Sequence, residues 1–310
     1  MRIHSAPPVE ITDRFWMLGS LPYPLYLHRG QHAHTLFEGG TGATGPVLRQ
    51  QIDALGISTG SVTQAVITHA HPDHVMAIPV FRELFPRVAI LASAAAARTL
   101  SAEKAISFFG KLDDLLTTSL IQEGLATEQS RQPAPAAALF AVDRVVAEGD
   151  RIEVDDGCAF ETLATPGHSD CSLSFLEPQR RVLIISDATG YYLPDQEHWW
   201  PNYFFDYSSY VQSIRRLSDL HAEILCLSHN AVICGAADVA DYFRRALAAT
   251  EEYHERIVRE AQAGQAVRQI AEALGNEAYQ RTPLLPVDFF QKNCGLLVKQ
   301  SLKHAGLSAE

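Results

Sequence analysis

Short strand-like runs alternate with segments of helical spacing in the first hundred positions. The strand-like runs are residues 26–28, 35–38, 62–68 and 88–91. Apolar residues recur at helical spacing in residues 47–55 and 80–85. Strand-like runs resume later in the chain, at residues 144–147, 151–154, 159–165, 172–176 and 181–186. This mixture of strands and helices predicts an α/β fold.

Two segments depart from the strand pattern. Residues 101 to about 130 carry apolar side chains at helical spacing, which predicts a helical insertion. Helices dominate after Asp206, a candidate N-cap, with residues 223–228 as the last core strand. Residues 236–304 show three helical patterns, separated near Gly264 and near Gly275-Asn276. We therefore predict a catalytic unit over residues 1–235 and a helical extension over 236–310 packed on it.

The composition narrows the class of protein. The chain has 310 residues, 47% of them hydrophobic and 20% charged, which is typical of a soluble globular protein. A net charge of −11 argues against a nucleic-acid partner. No run reaches the ~18 apolar residues of a membrane span, so no membrane partner is expected. Five cysteines without a CxxC pair indicate reduced thiols, and we predict a cytoplasmic location.

The segment from Thr68 to His74 is the strongest chemical signal in the chain. It places His69, His71, Asp73 and His74 directly after an apolar strand. Neutral imidazole and carboxylate are preferred ligands of divalent metals, and no structural role explains four such groups within six residues. One ion cannot readily accept all four, so the segment predicts a site for two metal ions.

Further metal ligands are expected at the ends of later strands. His168 follows the run 159–165, Asp187 follows 181–186, and His229 follows 223–228. Each of these residues alone has an ordinary interpretation, such as a cap, a turn residue or a hydrogen-bonded histidine. Their joint arrangement is more informative, because strand ends meet along one edge of a sheet.

The motif HxHxDH at 69–74, with Gly-His at 167–168, Asp187 and His229, resembles the metallo-β-lactamase superfamily over residues 10 to 235. The resemblance implies an αβ/βα sandwich of two mixed sheets with outer helices. It also implies that His69, His71 and His168 hold one ion, that Asp73, His74 and His229 hold the other, and that Asp187 bridges them.

A narrower resemblance comes from three features: Glu38 in Leu36-Phe37-Glu38-Gly39-Gly40, the helical insertion and the helical C-terminus. Together these are similar to the quinolone-signal response protein branch, whose members act as thioesterases. Many superfamily members have Asp-Thr-Gly where this chain has Glu38-Gly39-Gly40. That motif is usually structural, so Glu38 is expected to leave the catalytic groups intact.

Paired dications lower the pKa of a shared water and polarise a carbonyl oxygen. We therefore predict hydrolysis of an ester-like carbonyl by a metal-bridging hydroxide, with Asp73 taking up the proton of the nucleophile. A thioester of the acyl-CoA type is the first candidate substrate, and a lactone such as an acyl-homoserine lactone is the second. Zinc is the default metal for hydrolysis, with iron or manganese as alternatives.

Aromatic residues are densest between Tyr191 and Tyr210, a run that begins four residues after Asp187. Neighbouring rings cannot all enter the core from one element, so some are expected to line a substrate pocket. This predicts an apolar or aromatic acyl group on a small-molecule substrate. The candidate substrate-binding residues, including two from the insertion, are Tyr191, Trp199, Trp200, Phe204, Phe205, Phe108 and Phe109.

Other functions remain open at this point. An iron-dependent redox member of the same superfamily would use a similar ligand set. A regulatory protein could keep its metals and bind a partner through the helical extension. The apolar faces of residues 236–304 could instead support a homodimer. A nuclease is disfavoured by the acidic balance of the chain.

Overall fold

Two mixed seven-stranded β-sheets lie face to face at the centre of the computed structural model, which describes residues 2–3, 6–155 and 157–308. The first sheet contains, in spatial order, β2 (Val9–Thr12), β3 (Phe15–Gly19), β4 (Pro24–Arg29), β5 (His34–Phe37), β6 (Val62–Val66), β7 (Ala89–Ala92) and β8 (Arg144–Val145). The second contains β1 (Arg2–Ile3), β16 (Val232–Cys234), β15 (Ile224–Cys226), β12 (Val182–Ile184), β11 (Leu173–Glu177), β10 (Cys158–Ala164) and β9 (Arg151–Asp155).

Large apolar side chains from the facing sides of the two sheets form the central core. The ring of Phe37 in β5 lies 4.5 Å from that of Phe160 in β10 and 5.5 Å from that of Phe175 in β11. Alternate residues of a strand point to the same face, so each sheet gives one set of side chains to this layer. The opposite set faces the outer helices.

Within the described part of the chain, eight α-helices cover the two outer faces. They are α1 (Gly45–Ala54), α2 (Ile78–Leu84), α3 (Ala94–Leu100), α4 (Glu103–Gln122), α5 (Tyr207–Ser218), α6 (Ala236–Gln262), α7 (Val267–Arg281) and α8 (Val287–His304). The first four pack on the first sheet and share its outer core. The last four share a core with the outer face of the second sheet. The predicted αβ/βα sandwich with a helical C-terminal region is confirmed. Among the described residues, no helix is both long and apolar enough to cross a membrane.

The predicted elements match the structure well around the motif but less well elsewhere. The helical insertion is present as α4, and Asp206 caps α5 by accepting a hydrogen bond from the Ser209 N–H at 2.9 Å. The prediction that residues 223–228 are the last strand is wrong, because β16 follows and pairs with β15. A two-stranded hairpin of β13 (Tyr191–Leu193) and β14 (His198–Trp200) was not expected within the aromatic run.

The predicted helix boundary at Gly275-Asn276 is also wrong. Helix α7 continues through both residues to Arg281, and the break falls before Pro286. Gly275 is needed for close packing: a Cβ there would lie 2.5 Å from the backbone of Gln291 in α8. The glycine therefore marks a contact between two helices, whereas its usual role at a helix end suggested a boundary.

Replacing Gly275 with alanine should destabilise the protein, because α8 has to move away from the new methyl group. We expect Gly275→Ala to lower the free energy of unfolding by about 1–3 kcal/mol. Gly295→Ala in α8 is the matched control, since its Cβ would make an ordinary contact at 3.9 Å with Ala271. Urea unfolding followed by tryptophan fluorescence measures both. Equal effects of the two substitutions would contradict the close-packing interpretation.

Candidate metal centre

The HxHxDH segment forms the edge of the site just beyond β6. The backbone is extended at His71, and a single 3-10 turn over Pro72–His74 then reverses the chain. This turn sends Asp73 and His74 to a different position from His69 and His71. A close backbone approach supports it: a Cβ on Gly39 would lie 1.9 Å from the His74 carbonyl oxygen.

The other three predicted ligands arrive from the second sheet. His168 lies in the turn between β10 and β11, Asp187 follows β12, and His229 follows β15. The structure brings all seven predicted residues together at one edge of the sandwich. Their ligand atoms form three groups, each within 4.8 Å: His69, His71 and His168; His69, His74 and Asp187; and Asp73, His74 and His229.

Three imidazoles converge in the first group. The Nδ1 atom of His71 lies 3.0 Å from Nε2 of His69 and 2.8 Å from Nε2 of His168. The two Nε2 atoms are 3.1 Å apart. Three ring nitrogens at such distances cannot all satisfy one another as hydrogen-bond donors and acceptors. A shared cation resolves this arrangement, since each neutral ring can direct a lone pair towards it.

Asp187 lies between His168 of the first group and two residues of the third group, His74 and His229. Its Oδ2 atom is 3.4 Å from Nε2 of His168 and 3.6 Å from Nε2 of His74. Its Oδ1 atom lies 3.3 Å from Nε2 of His229. The carboxylate therefore faces both groups at once, which is the position that a bridging ligand requires.

The outward ring nitrogens of four histidines are each held by a fixed partner. Nδ1–H of His168 donates to the Asn202 carbonyl and Nδ1–H of His229 donates to the Pro22 carbonyl, both at 2.8 Å. Nδ1 of His69 lies 2.8 Å from the Ser186 hydroxyl, and Nδ1 of His74 lies 2.9 Å from the Glu38 carboxylate. These contacts leave Nε2 of each ring directed into the site, as in metal centres whose ligands are oriented by outer partners.

Glu38 has a role that the sequence did not reveal. Its buried carboxylate accepts hydrogen bonds from the hydroxyls of Thr68 at 2.9 Å and Ser228 at 2.6 Å, in addition to the one from His74. Thr68 follows β6 of the first sheet, whereas Ser228 follows β15 of the second. Glu38 thus orients one predicted ligand and joins both sheets beneath the site. The expectation that Glu38-Gly39-Gly40, in place of the Asp-Thr-Gly of many superfamily members, leaves the catalytic groups intact stays a prediction.

The charges of the site are strongly coupled. Burial would lower the pKa of His74, but the carboxylates of Asp73, Asp187 and Glu38 raise it well above its usual value. Burial would raise the pKa of Asp73, but the neighbouring His74 lowers it, and the pKa of Asp187 is lowered in the same way. Three carboxylates therefore surround His74 and require compensating positive charge.

On the opposite side of the site, burial and the neighbouring His168 lower the pKa of His71 to about 3. Burial also lowers the pKa of His69 and His168. These rings are consequently neutral, the state in which imidazole binds a metal. Two buried atoms that face the site, Nε2 of His74 and Oδ1 of Asp187, have no hydrogen-bond partner. The residues present fit one or more divalent metal ions.

A cavity of about 520 Å³ opens over the candidate ligands. Five of the predicted substrate-binding residues line it: Tyr191, Trp200, Phe204, Phe108 and Phe109. Sequence reasoning missed the apolar residues that the β3–β4 loop, the α7–α8 loop and α8 add to its wall, namely Tyr23, Leu284, Leu285, Phe289, Phe290 and Leu296. No local motif identifies these residues, because only the folded chain brings α8 opposite α4.

Trp199 and Phe205 lie outside this cavity, so their prediction as substrate-binding residues is not supported. Adjacent residues of β14 point to opposite faces, and Trp199 packs with its ring 4.4 Å from that of Tyr192. Its neighbour Trp200 faces the cavity instead. Phe205 is 49% exposed, and its N–H donates to the Gly167 carbonyl at 3.0 Å.

Helix α4, which forms one wall of the cavity, is held in place by its own buried carboxylate, Asp113. Oδ1 of Asp113 accepts a hydrogen bond from the Gly42 N–H at 2.8 Å. Burial raises the pKa of Asp113 to about 7. Gly42 belongs to the loop that begins at Glu38, so the cavity wall and the metal-ligand loop rest on the same segment.

Replacing Glu38 with glutamine should weaken metal binding. The glutamine amide would place N–H groups against one or more of the three donors that now meet the carboxylate, so His74 loses its fixed orientation. We expect Glu38→Gln to reduce metal affinity about 10–100-fold, as for other outer partners of metal ligands. Competition with a chromophoric chelator measures this affinity. Glu83→Gln, an exposed surface substitution, is the control, and unchanged affinity in Glu38→Gln would contradict the role assigned to the carboxylate.

Comparisons with known proteins identify the family to which this fold belongs. The family model described as "Metallo-beta-lactamase superfamily" matches residues 22–229. A metallo-beta-lactamase family protein from Thermus thermophilus is 19% identical, with a TM-score of 0.64 over 96% of this chain and 95% of that one. The subclass B3 metallo-beta-lactamase BJP-1 of Bradyrhizobium japonicum is 18% identical, with a TM-score of 0.57 over 84% and 98%. An archaeal superfamily protein from Sulfolobus tokodaii is 16% identical, with a TM-score of 0.54 over 79% and 84%. The chain belongs to the metallo-beta-lactamase superfamily.

Proposed function

We propose that this protein is a metal-dependent hydrolase of an ester-like carbonyl, with a thioester of an apolar or aromatic acid as its first candidate substrate. The observation that supports this most directly is the cavity over the metal centre. Its floor contains the candidate ligands His71, Asp73 and His229, whereas its walls are mainly aliphatic and aromatic. Such a cavity can hold an apolar group and place a carbonyl next to the ligands.

Two divalent ions fit the proposal best, with zinc as the first candidate and iron or manganese as alternatives. His69, His71 and His168 would hold one ion, and Asp73, His74 and His229 the other, with Asp187 between them. When bound, these ions would supply Lewis acidity and lower the pKa of water. The remaining chemistry depends on the side chains around them.

Asp73 is the candidate catalytic residue. Its Oδ2 atom lies 3.4 Å from Nε2 of His74 and 3.7 Å from Nε2 of His229. His74 lowers its pKa, so the carboxylate is ionised near neutral pH. It is also more exposed to the cavity than Asp187, at 29% against 6% of the side chain. Asp73 can therefore accept a hydrogen bond from an attacking water and hold its proton during the attack.

Tyr191 and the aromatic wall would orient the substrate. The Tyr191 ring lies 4.7 Å from that of His229, and burial raises the pKa of its hydroxyl to about 12. The hydroxyl consequently stays protonated and can donate a hydrogen bond. Phe204 lies with its ring 5.3 Å from that of His168, which closes the opposite side against water. Excluding water strengthens the polar interactions at the reacting carbonyl.

Asp73→Asn should abolish hydrolysis, because the amide retains neither the negative charge nor the proton acceptor. With metal-loaded protein and a panel of aliphatic and aromatic acyl-CoA thioesters, we expect kcat/KM to fall by at least about 100-fold. Release of free thiol measures the reaction, and Asp53→Asn on the surface of α1 is the control. Removal of metal by a chelator should cause a similar loss, reversed by adding metal back.

Lactones, including acyl-homoserine lactones, form the second panel in the same assay, since they need the same metal centre. If the protein hydrolysed lactones but no thioester, the proposed substrate class would change, whereas the proposed hydrolase activity would stand. If metal-replete protein turned over neither panel, the hydrolase proposal would be wrong. Iron content and oxygen consumption would then test the redox alternative.

Phe204 and Phe205 form a matched pair for the substrate wall. Phe204→Ala removes a ring that faces the cavity next to His168, so it should lower kcat/KM by about 10-fold or more, the typical value of a buried aromatic contact. Phe205→Ala removes an exposed ring outside the cavity and should change kcat/KM less than twofold. Steady-state kinetics on the best thioester or lactone measures both. Equal losses would show that the ring at 204 has no specific contact with the substrate.

A further inference from the structure

The apolar lining of the cavity continues outwards to the solvent along α4 and α8. Phe108 of α4 and Leu296 of α8 both line the cavity, yet they are 56% and 40% exposed. Exposed apolar surface of this kind costs about 25 cal/mol per Å² relative to a buried state. The rim of the cavity therefore gains stability from an apolar partner that covers it.

The walls between rim and floor are apolar on both sides. Helix α4 contributes Leu112 and Leu116 to the cavity, and the chain at the start of α8 contributes Leu285 and Phe289. These residues come from segments more than 150 positions apart and line the same cavity, and Leu285 also packs against the buried cluster that contains Leu116. We call the space between them, from the metal ligands to Phe108 and Leu296, the α4–α8 cleft.

Few charged residues line the cleft apart from the candidate metal ligands. Apart from the candidate metal ligands, the charged residues among the described cavity-lining positions are Asp170 and Lys292. The Lys292 ammonium is paired with Asp288 at 2.8 Å, and Asp170 lies only two positions after the candidate ligand His168. The mainly apolar lining therefore favours an occupant whose far end is uncharged.

We propose that the α4–α8 cleft binds a long aliphatic acyl chain, whose carbonyl lies at the metal centre and whose far end covers Phe108 and Leu296. This rests on the proposed function and specifies its substrate class. The cavity volume of about 520 Å³ is within the range of small-molecule sites. Continuity of the apolar lining from the candidate ligands to the rim favours a single extended ligand over a second protein copy that would touch the rim alone.

The test uses saturated fatty acids from butanoate to hexadecanoate as probes of metal-loaded protein, because they need no turnover. Isothermal titration calorimetry measures their affinity. We expect about a fourfold gain for each methylene group that enters the cleft. Phe108→Ser and Leu296→Ser should each weaken dodecanoate about fivefold to tenfold and leave butanoate unchanged. Leu139→Ser is the control, since Leu139 is 44% exposed and lies outside the cavity.

Two results would overturn the proposal: affinity independent of chain length, or equal effects of Phe108→Ser on butanoate and dodecanoate. Light scattering on the same samples tests a second copy as the occupant. A dimer that Phe108→Ser dissociates, combined with a flat chain-length series, would assign the rim to self-association. If binding depended on chain length but no thioester or lactone were turned over, the proposed function would be contradicted, whereas the α4–α8 cleft would still be supported as an acyl-chain site. If the protein turned over a thioester or lactone but its affinity for fatty acids did not change with chain length, only the proposed acyl-chain site would be contradicted.

Discussion

The carboxylate of Glu38 is the contact on which the site depends. It meets a hydroxyl after β6 of one sheet, a hydroxyl after β15 of the other, and Nδ1 of His74 between them. Burying a carboxylate costs free energy unless it is fully hydrogen-bonded. The positions of these three donors, and of the strands that carry them, are therefore fixed relative to one another. The two halves of the sandwich are thereby held in the register that brings His229 and Asp187 to the ligands of the first sheet.

Around this centre, the side chains that hold metal and the side chains that would hold substrate come from different parts of the fold. The candidate ligands lie on short loops at strand ends, most of them fixed by an outer hydrogen bond. The cavity wall comes from α4, the β13–β14 hairpin and α8. Asp113 connects the two systems, because it binds α4 to the loop that also carries Glu38.

The sequence predicted the fold class and proposed a ligand set that the structure brings together, because both depend on local patterns: strand periodicity and polar residues at strand ends. It missed features that depend on distant contacts. Gly275 looked like a helix end because its partner, Gln291, lies in another helix. Trp199 and Trp200 looked equivalent until β14 assigned them to opposite faces. Glu38 looked structural because its three donors are separated from it by up to 190 positions.

The shared core of the second sheet and the C-terminal helices has a consequence for the size of the folding unit. The outer face of this sheet, including Leu183, Leu225 and Ile233, is buried against residues such as Phe243 and Leu297. A fragment ending at residue 229, where the family match ends, would contain every candidate ligand and α5 but would lack β16 and α6–α8, so part of that face would be exposed to water. We therefore expect the smallest segment that folds around this centre to be longer than residues 22–229, which the family model matches.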